Sequence, residues 1–242
     1  MEIYRMFEEL MDVPYVIHEI DKDGFHEFME AFQPYIDRHE DLLKGIPLAE
    51  GFNGWNFDCP SIEKKLEYYL SLNLLQWKPE HRYVDIASCY SVFPSYVADV
   101  CHCETWRQDY YYKQGISGAC IGSDACRIPV EDNFFDSMTL HCSFEHFEGS
   151  KDGEFIREAG RILKPGGKLC IIPFYCGYDY TEIQKDNFDT GCQFHRYYNP
   201  EEFKKRVFDG MENLNLTFYW FSNLNSLGED LYCHFALIFE KV

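Results

Sequence analysis

The spacing of apolar positions changes near residue 80. Before that point, apolar side chains recur three or four positions apart, as they do on one face of an amphipathic helix. The clearest examples are Phe25, Phe28, Met29, Phe32 and Ile36, followed by Ile62, Leu66, Tyr69 and Leu70. Pro60 and Ser61 are typical of a helix start. The pattern predicts a helical amino-terminal extension, or cap, over residues 1–80.

From Arg82 onward, short apolar runs alternate with helical spacing. Residues 83–87 have the apolar character of a buried parallel strand, and helices are predicted at 92–100 and 151–163, the second ending at a Lys-Pro-Gly-Gly turn. Further strands are predicted at residues 103–108, 119–122, 135–142 and 169–174. This alternation implies a mostly parallel sheet with right-handed crossovers.

The last part of the chain predicts one helix and a pair of strands. Asn199 and Pro200 suit the cap and first turn of a helix. Segments 216–221 and 231–239 flank a loop rich in Ser, Asn and Gly, so they are predicted to pair antiparallel. Residues 81–242 are therefore predicted to form an α/β core with a seven-stranded sheet and an antiparallel last strand.

Composition and charge narrow the class of protein. Of the 242 residues, 46% are hydrophobic and 26% are charged, which is typical of a globular chain with a core. A formal net charge of -19 disfavours sequence-independent binding of nucleic acid, because phosphate contacts need clustered Lys and Arg. A small-molecule substrate is expected instead. No apolar run reaches the roughly 18 residues of a membrane span.

The 11 cysteines are predicted to be reduced thiols in the cytoplasm. Their number is odd, and residues 1–11 lack the basic region and apolar run of a secretion signal. The tightest Cys/His cluster is Cys101-His102-Cys103, which has no second pair at zinc-finger spacing. Buried or half-buried thiols are the simpler interpretation, and no metal site is predicted.

A series of short motifs carries the functional prediction. Ile121-Gly122-Ser123-Asp124-Ala125 follows a strand, at the sheet edge where ligands bind in open α/β folds. An acidic turn at 131–136, the pair Glu145-His146, and a helix ending in Leu-Lys-Pro-Gly-Gly come next. In this order, residues 83–174 resemble the class I S-adenosylmethionine-dependent methyltransferases. The resemblance implies a Rossmann-like core, S-adenosyl-L-methionine as cofactor, and methyltransferase activity.

The resemblance also implies roles for single residues along the cofactor. Asp124 would accept a hydrogen bond from the adenine amino group, and the Ala125 amide would meet a ring nitrogen. Asp109 would hold the ribose hydroxyls, and Cys142 would face the middle of the cofactor. A turn residue for Asp124, a surface residue for Asp109 and a buried thiol for Cys142 are the alternative interpretations.

The first loop departs from the family pattern. The family has Asp-x-Gly-x-Gly-x-Gly, whereas this chain reads Asp85-Ile86-Ala87-Ser88-Cys89-Tyr90-Ser91. Glycine permits positive φ and close approach of the backbone to a ligand, and the small residues here leave room for that approach with a changed turn. Asp85, Ala87 and Ser88 are thus predicted cofactor contacts. The missing glycines also motivate an alternative, a catalytically degenerate member that binds the cofactor or a partner protein.

Other features bear on catalysis and on competing functions. Transfer to oxygen or nitrogen of a small-molecule or sugar-type acceptor often needs a general base. His146 and His195 are the predicted candidates, with structural hydrogen bonding as the alternative for each. Phe52 and Trp55 are candidate liners of the substrate pocket or, more simply, aromatic core residues. A nicotinamide-dependent dehydrogenase would need Gly-x-Gly-x-x-Gly after the first strand, which is absent.

Overall fold

An eight-stranded, mostly parallel sheet organises the protein in the computed structural model, which describes residues 3–50, 52, 60–184, 194–228 and 231–242. The helices are α1 (Ile3–Met11), α2 (Lys22–Asp37), α3 (His39–Leu42), α4 (Ile62–Leu74), α5 (Phe93–Cys101), α6 (Lys151–Ile162) and α7 (Pro200–Arg206). The strands are β1 (Tyr15–His18), β2 (Arg82–Ile86), β3 (Glu104–Ser117), β4 (Cys120–Gly122), β5 (Phe135–His141), β6 (Leu163–Ile172), β7 (Thr181–Gln184), β8 (Phe194–Tyr197), β9 (Leu214–Phe221) and β10 (Phe235–Lys241).

The sheet has the strand order β1-β9-β10-β6-β5-β2-β3-β4. Strand β10 runs antiparallel to both of its neighbours, and every other pair is parallel. Seven of these strands, β9 to β4 in that order, are those predicted from the apolar runs, and the antiparallel pair of β9 and β10 is confirmed. The α/β fold class with a Rossmann-like sheet is confirmed as well.

Strand β1 is an eighth member that the sequence pattern did not predict. It lies in the amino-terminal region, where only helices were expected, and pairs in parallel with β9 at the sheet edge. Tyr15, Val16 and Ile17 form a short apolar run, but it lies between two helical segments and was not interpreted as a strand. Residues 1–80 therefore contribute to the sheet itself, and a domain boundary at residue 80 stays a prediction.

Helices cover both faces of the sheet, which creates two hydrophobic layers. On one face, Phe7, Phe155 and Phe203 of α1, α6 and α7 pack with Val84 and Leu140 of the central strands. On the other face, helices α2, α4 and α5 pack on alternate strand residues, with Phe25, Phe32, Leu66, Phe93, Tyr83 and Ile172 all buried. The predicted amphipathic spacing of α2 and α4 is explained by this second layer. No helix in the described part of the chain has the length and apolar character to cross a bilayer.

The predicted helix boundaries rest on identifiable caps. Ser61 Oγ accepts a hydrogen bond from Lys64 N at 3.2 Å, and Asn199 Oδ1 accepts one from Glu202 N at 2.9 Å. Each cap satisfies one of the amide donors left open in a first turn. Helix α6 ends at Ile162, just before Lys164-Pro165-Gly166-Gly167, and Gly166 has φ 77°, where a glycine carries little strain. Both predicted helix starts and the Lys-Pro-Gly-Gly stop are therefore confirmed.

A buried ion-pair network fixes the β7–β8 hairpin to the helices behind it. Arg196 of β8 is fully buried and donates from Nη1 to Asp152 Oδ2 at 2.8 Å. The same oxygen accepts from Tyr198 OH at 2.9 Å and from Arg206 Nε at 2.8 Å. Because Asp152 lies on α6 and Arg206 on α7, the network sets the position of the neighbouring His195.

Candidate active site

A cavity of about 610 Å³ opens at the carboxyl ends of the parallel strands, the usual ligand edge of an open α/β sheet. Its size suits a small organic ligand. Five of the predicted site residues line it, namely Ala87, Asp109, Asp124, Ala125 and His146. Residues far apart in sequence thus meet in one place, while Asp85, Ser88, Cys142 and His195 are not among the lining residues.

The first loop keeps the backbone conformation that glycine favours. Ala87 has φ 51° and Cys89 has φ 45°, and these are two of the three positions at which the resembled family has glycine. Side chains of β3 hold the loop there, since Cys89 N donates to Asp109 Oδ2 at 2.8 Å and Ala87 N to Gln108 Oε1 at 3.3 Å. The turn is therefore left-handed at both positions, and L side chains carry the strain that glycine avoids.

Ala87→Gly is expected to raise the free energy of unfolding by about 0.5–1 kcal/mol, because relief of the left-handed strain exceeds the entropy cost of glycine. Ala87→Val is expected to lower it, since a β-branched residue tolerates positive φ poorly. Urea unfolding followed by circular dichroism measures both. Ala119→Gly is the control, because Ala119 is an exposed turn residue without a positive φ. This substitution should lower the free energy of unfolding. Equal effects at both alanines would refute the assigned strain.

Asp85 and Ser88 lie beneath the loop rather than on the cavity wall. Asp85 is 2% exposed and accepts hydrogen bonds from Ser88 Oγ at 2.9 Å, Thr139 Oγ1 at 2.8 Å and His141 Nδ1 at 3.1 Å. Burial favours a raised pKa for Asp85, but these bonds, led by the one from His141, outweigh it and hold the pKa below its ordinary value. Through these hydrogen bonds, Asp85 connects the first loop to β5 and stabilises it.

Asp109 stands where β3 passes the end of β2. It is 4% exposed, and its two oxygens accept hydrogen bonds from the amides of Cys89 and Tyr111, each at 2.8 Å. Burial raises the pKa of Asp109, and the two amide bonds oppose that rise. A surface position for this residue is thereby ruled out. Its carboxylate links the first loop to the second strand.

Asp124 follows β4 at the cavity wall. Just before it, the backbones of β4 and β3 approach each other closely at Gly122. A Cβ at that position would lie 2.1 Å from the Lys113 carbonyl oxygen. Asp124 Oδ1 accepts from Cys126 N at 3.0 Å, and Oδ2 accepts from Lys151 Nζ at 2.6 Å. Burial favours a raised pKa, but the bond from Lys151 outweighs it and lowers the pKa of Asp124. The carboxylate therefore stands ionised as a hydrogen-bond acceptor.

Cys142 ends β5 in a left-handed conformation at φ 48°. Its thiol donates to Glu145 Oε1 at 3.3 Å and lies 3.8 Å from Tyr175 OH. Burial raises the pKa of the thiol, while the ammonium of Lys64 on α4 opposes that rise. These polar side chains therefore lie close together near the ends of β5 and β6.

The two predicted catalytic histidines are neighbours. The rings of His146 and His195 have centroids 4.6 Å apart, although 48 residues separate them in sequence. His146 lines the cavity, and its Nδ1 donates to the Phe194 carbonyl at 2.7 Å. Because that bond occupies Nδ1, the Nε2 atom carries the lone pair in the neutral ring. The structural hydrogen bond expected as the alternative for His146 is therefore present, at a residue that also lines the cavity.

The aromatic residues predicted as pocket liners lie around β3. Phe52 stacks on Tyr111 with ring centroids 4.5 Å apart, and Tyr111 lines the cavity. Trp55 lies outside the described residues. Phe52 is therefore placed at the rim of the cavity through Tyr111.

Three site residues escaped the sequence prediction. Gln108 holds the first loop, Lys151 pairs with Asp124 across 27 positions, and Lys64 donates to the fully buried Glu67 at 2.6 Å. No local motif connects any of these pairs. Lys151 could have been suspected only from its place in the first turn of a predicted helix beside the sheet edge.

Glu63, like Glu67, is a buried acid of α4. Its shifted pKa leads us to expect that the stability of the protein depends on pH. Burial raises its pKa to about 7, with Glu67 adding to the rise and the amides of Tyr232 and Cys233 and the Lys64 ammonium opposing it. Between pH 4.5 and about 7 the unfolded chain releases this proton and the folded chain keeps it. The free energy of unfolding should therefore fall as pH rises through that window.

Glu63→Gln removes this contribution, so the wild-type decline of roughly 1–3 kcal/mol across the window is expected to become shallower in the variant. Urea unfolding at a series of pH values measures the slope. Glu30→Gln, at an exposed position of α2, should leave the wild-type slope intact. An unchanged slope in Glu63→Gln would show that Glu63 does not hold its proton in the folded state.

Known proteins match the segment that forms this cavity. Residues 83–171 match the family described as a methyltransferase domain. The ubiquinone/menaquinone biosynthesis C-methyltransferase UbiE of Pseudomonas aeruginosa is 36% identical over 69 residues, covering 28% of this chain and 26% of the relative. The demethylmenaquinone methyltransferase of Corynebacterium kroppenstedtii is 33% identical over 54 residues, covering 22% and 23%. The matched segments span about a quarter of these relatives.

Solved structures share the fold over a longer stretch. An S-adenosylmethionine-dependent methyltransferase from Mesorhizobium loti superposes with a TM-score of 0.54 at 13% identity, covering 73% of this chain and 97% of that one. The Burkholderia thailandensis 1,6-didemethyltoxoflavin-N1-methyltransferase, solved with S-adenosylhomocysteine, gives 0.53 at 10% identity, covering 89% of each. The [4+2]-cyclase SpnF gives 0.50 at 15% identity, covering 95% and 98%. Residues 83–171 thus match the methyltransferase-domain family, and the chain shares the fold of these S-adenosylmethionine-dependent methyltransferases.

Proposed function

We propose that this chain binds S-adenosyl-L-methionine in the cavity and transfers its methyl group to an oxygen or nitrogen of a small-molecule or sugar-type substrate. The observation that carries the proposal is the convergence of Asp109, Asp124 and the left-handed loop at Ala87 on one cavity. Each occupies the position at which the family resemblance implies contact with a different part of the cofactor.

The adenosine half of the cofactor has two carboxylates available. An ionised carboxylate has about four lone-pair positions, and Asp109 uses two of them for the amides of Cys89 and Tyr111. The remaining two suit the adjacent ribose hydroxyls. Asp124 is ionised beside Lys151, so it can accept a hydrogen bond from the adenine amino group, while the Ala125 amide would meet a ring nitrogen.

The methionine half would lie along the first loop toward the end of β5. The left-handed residues Ala87 and Cys89 bring the loop backbone to the cavity wall, and Asp85 braces it from beneath. Asp85, Ser88 and Cys142 then act mainly through position, since they are not among the lining residues. Bound S-adenosylmethionine supplies an electrophilic methyl group, and the protein must hold the acceptor atom in line with it.

The acceptor would bind near the ends of β5 and β6. His146 and His195 lie there together, next to Cys142 and Tyr175. An acceptor hydroxyl or amine loses a proton as the new bond to carbon forms, and a neutral imidazole Nε2 can take it. The base role of the two histidines stays a prediction.

Calorimetric titration with S-adenosylmethionine and S-adenosylhomocysteine tests the binding step, and release of S-adenosylhomocysteine in the presence of pooled hydroxylated and amine acceptors tests transfer. We expect one binding site per chain and acceptor-dependent product. A folded protein that binds neither compound would refute the proposal. Binding without product from any acceptor would favour the degenerate alternative, which is a real competitor because SpnF, of the same fold, is named as a cyclase.

Asp124→Asn sharpens the binding test. The amide keeps the shape of the side chain but loses the charge, so affinity for both compounds should fall by about tenfold, the equivalent of one charge-assisted hydrogen bond. Asp132→Asn alters an exposed acid that pairs with Arg161 and is not among the cavity-lining residues, so its affinity should match the wild type.

A further inference from the structure

We propose that Glu145, His146 and His195 form a binding site for one divalent transition-metal ion. One ligand atom from each of these residues lies within 4.8 Å of the others. They come from two separate parts of the fold, the short turn after β5 and the strand β8. The site is not implied by the family match, and it departs from the sequence prediction of no metal.

The distances are close to those of a metal centre. Glu145 Oε1 lies 3.6 Å from His146 Nε2 and 4.0 Å from His195 Nε2. Ligands bound to Zn²⁺ at about 2.0–2.1 Å in a tetrahedral arrangement lie about 3.3 Å apart. Small side-chain rotations therefore bring all three atoms to coordinating distance.

The orientation of His146 is the one that metal-binding histidines adopt. Its Nδ1 donates to the Phe194 carbonyl at 2.7 Å, which fixes the ring in the way typical of metal-binding histidines, and its Nε2 lies 3.6 Å from Glu145 Oε1. Phe194 directly precedes His195 on β8, so one strand orients the first histidine and supplies the second. The fully buried Arg196 and its bond to Asp152 hold that strand in place.

Glu145 is the independent observation that a cation belongs here. It is 1% exposed, and across the described part of the chain its Oε2 atom has no hydrogen-bond partner. An unpartnered oxygen of a buried acid is costly unless a proton or a cation satisfies it. A metal ion held by the two imidazoles and by both oxygens of the Glu145 carboxylate would satisfy it, since Oε1 is the oxygen that lies 3.6 Å and 4.0 Å from the imidazole nitrogens.

The donor set indicates the class of ion. Two imidazole nitrogens and one carboxylate suit Zn²⁺, Fe²⁺, Mn²⁺ or Co²⁺, whereas Ca²⁺ and Mg²⁺ prefer oxygen ligands. Three protein ligands also leave a coordination position open for water or substrate. His146 lines the cavity, so, if the proposed methyl transfer holds, that position would take an oxygen of the acceptor. The two histidines would then be metal ligands rather than bases.

Titration of the chelator-treated, dialysed protein with Co²⁺ tests the site. We expect one Co²⁺ per chain with weak visible d–d absorption, and Zn²⁺ should displace it. His146→Ala and His195→Ala should each weaken binding by at least about 100-fold, more than the loss of an outer-shell group. His26→Ala, at an exposed histidine of α2, should bind as the wild type does.

Two results would overturn the inference. One is wild-type binding that both histidine variants retain, and the other is strong near-ultraviolet thiolate-to-cobalt absorption, which would assign the ion to cysteines. If a variant fails to fold, X-ray absorption of the Zn²⁺-loaded wild type decides, since two imidazoles must appear in its first shell. Titration with S-adenosylhomocysteine, run separately, reports on the proposed function, so either proposal can fail alone.

Discussion

Asp109→Asn is expected to weaken binding of S-adenosylmethionine and S-adenosylhomocysteine by about 30- to 150-fold, the equivalent of about 2–3 kcal/mol. The carboxylate accepts from Cys89 N with one oxygen and from Tyr111 N with the other. An amide offers only one oxygen, so its NH₂ group would face one of these donors and loosen the first loop. The charge proposed to hold the ribose hydroxyls is lost in the same step. Calorimetric titration measures the affinity.

Asp132→Asn is the matched control for Asp109, because this acid is 69% exposed and pairs only with Arg161 among the ion pairs of the described residues. Its affinity for the cofactor should stay within about twofold of the wild type, which corresponds to a change in binding free energy of about 0.4 kcal/mol or less. Thermal melting of both variants shows that they fold. An Asp109→Asn protein that is folded and binds the cofactor at full strength would remove Asp109 from the ribose site.

Arg196→Met is expected to lower the free energy of unfolding by about 3 kcal/mol, at the low end for breaking a buried ion pair. The guanidinium is fully buried and donates to Asp152 at 2.8 Å. It also donates at 3.0 Å to Glu182 of β7, whose side chain is exposed. Asp152 retains Arg206 and Tyr198, which keeps the loss from being larger. Urea unfolding gives the value.

Arg82→Met removes a surface pair for comparison. Arg82 and Glu104 are 39% and 53% exposed, and such pairs contribute about 1 kcal/mol or less. Arg196→Met should therefore cost clearly more than Arg82→Met. Similar losses in the two variants would mean that the network around Asp152 does not anchor the hairpin.

The sequence predicted the central strands well because buried parallel strands are short apolar runs. Strand β3 shows where that signal stops. It was expected to end at Gln108, yet it continues to Ser117 and pairs a second time with β4 through a register shift. Apart from the buried Asp109 and Tyr112, that second half is mostly exposed at the sheet edge, so it lacks the continuous apolar run of a buried parallel strand. The exposed strand β7 was not predicted for the same physical reason.

The candidate site divides in a similar way. Asp124 and Ala125 could be predicted to lie at the cavity because they follow a strand, and Asp109 because it comes at the end of the predicted second strand; the ends of parallel strands meet at one sheet edge. The left-handed angles at Ala87 and Cys89 could not, since the residues themselves disfavour positive φ and only the contacts from β3 impose it. The cluster of Glu145, His146 and His195 depends on a hairpin fold that no local pattern records.

A crystal structure with S-adenosylhomocysteine tests the central claim most directly. We expect the adenine beside Asp124 and Ala125, the ribose hydroxyls on Asp109, and the sulfur end along the loop at Ala87 toward Cys142. Cofactor density at any other place on the molecule, or an empty cavity at saturating ligand, would contradict it.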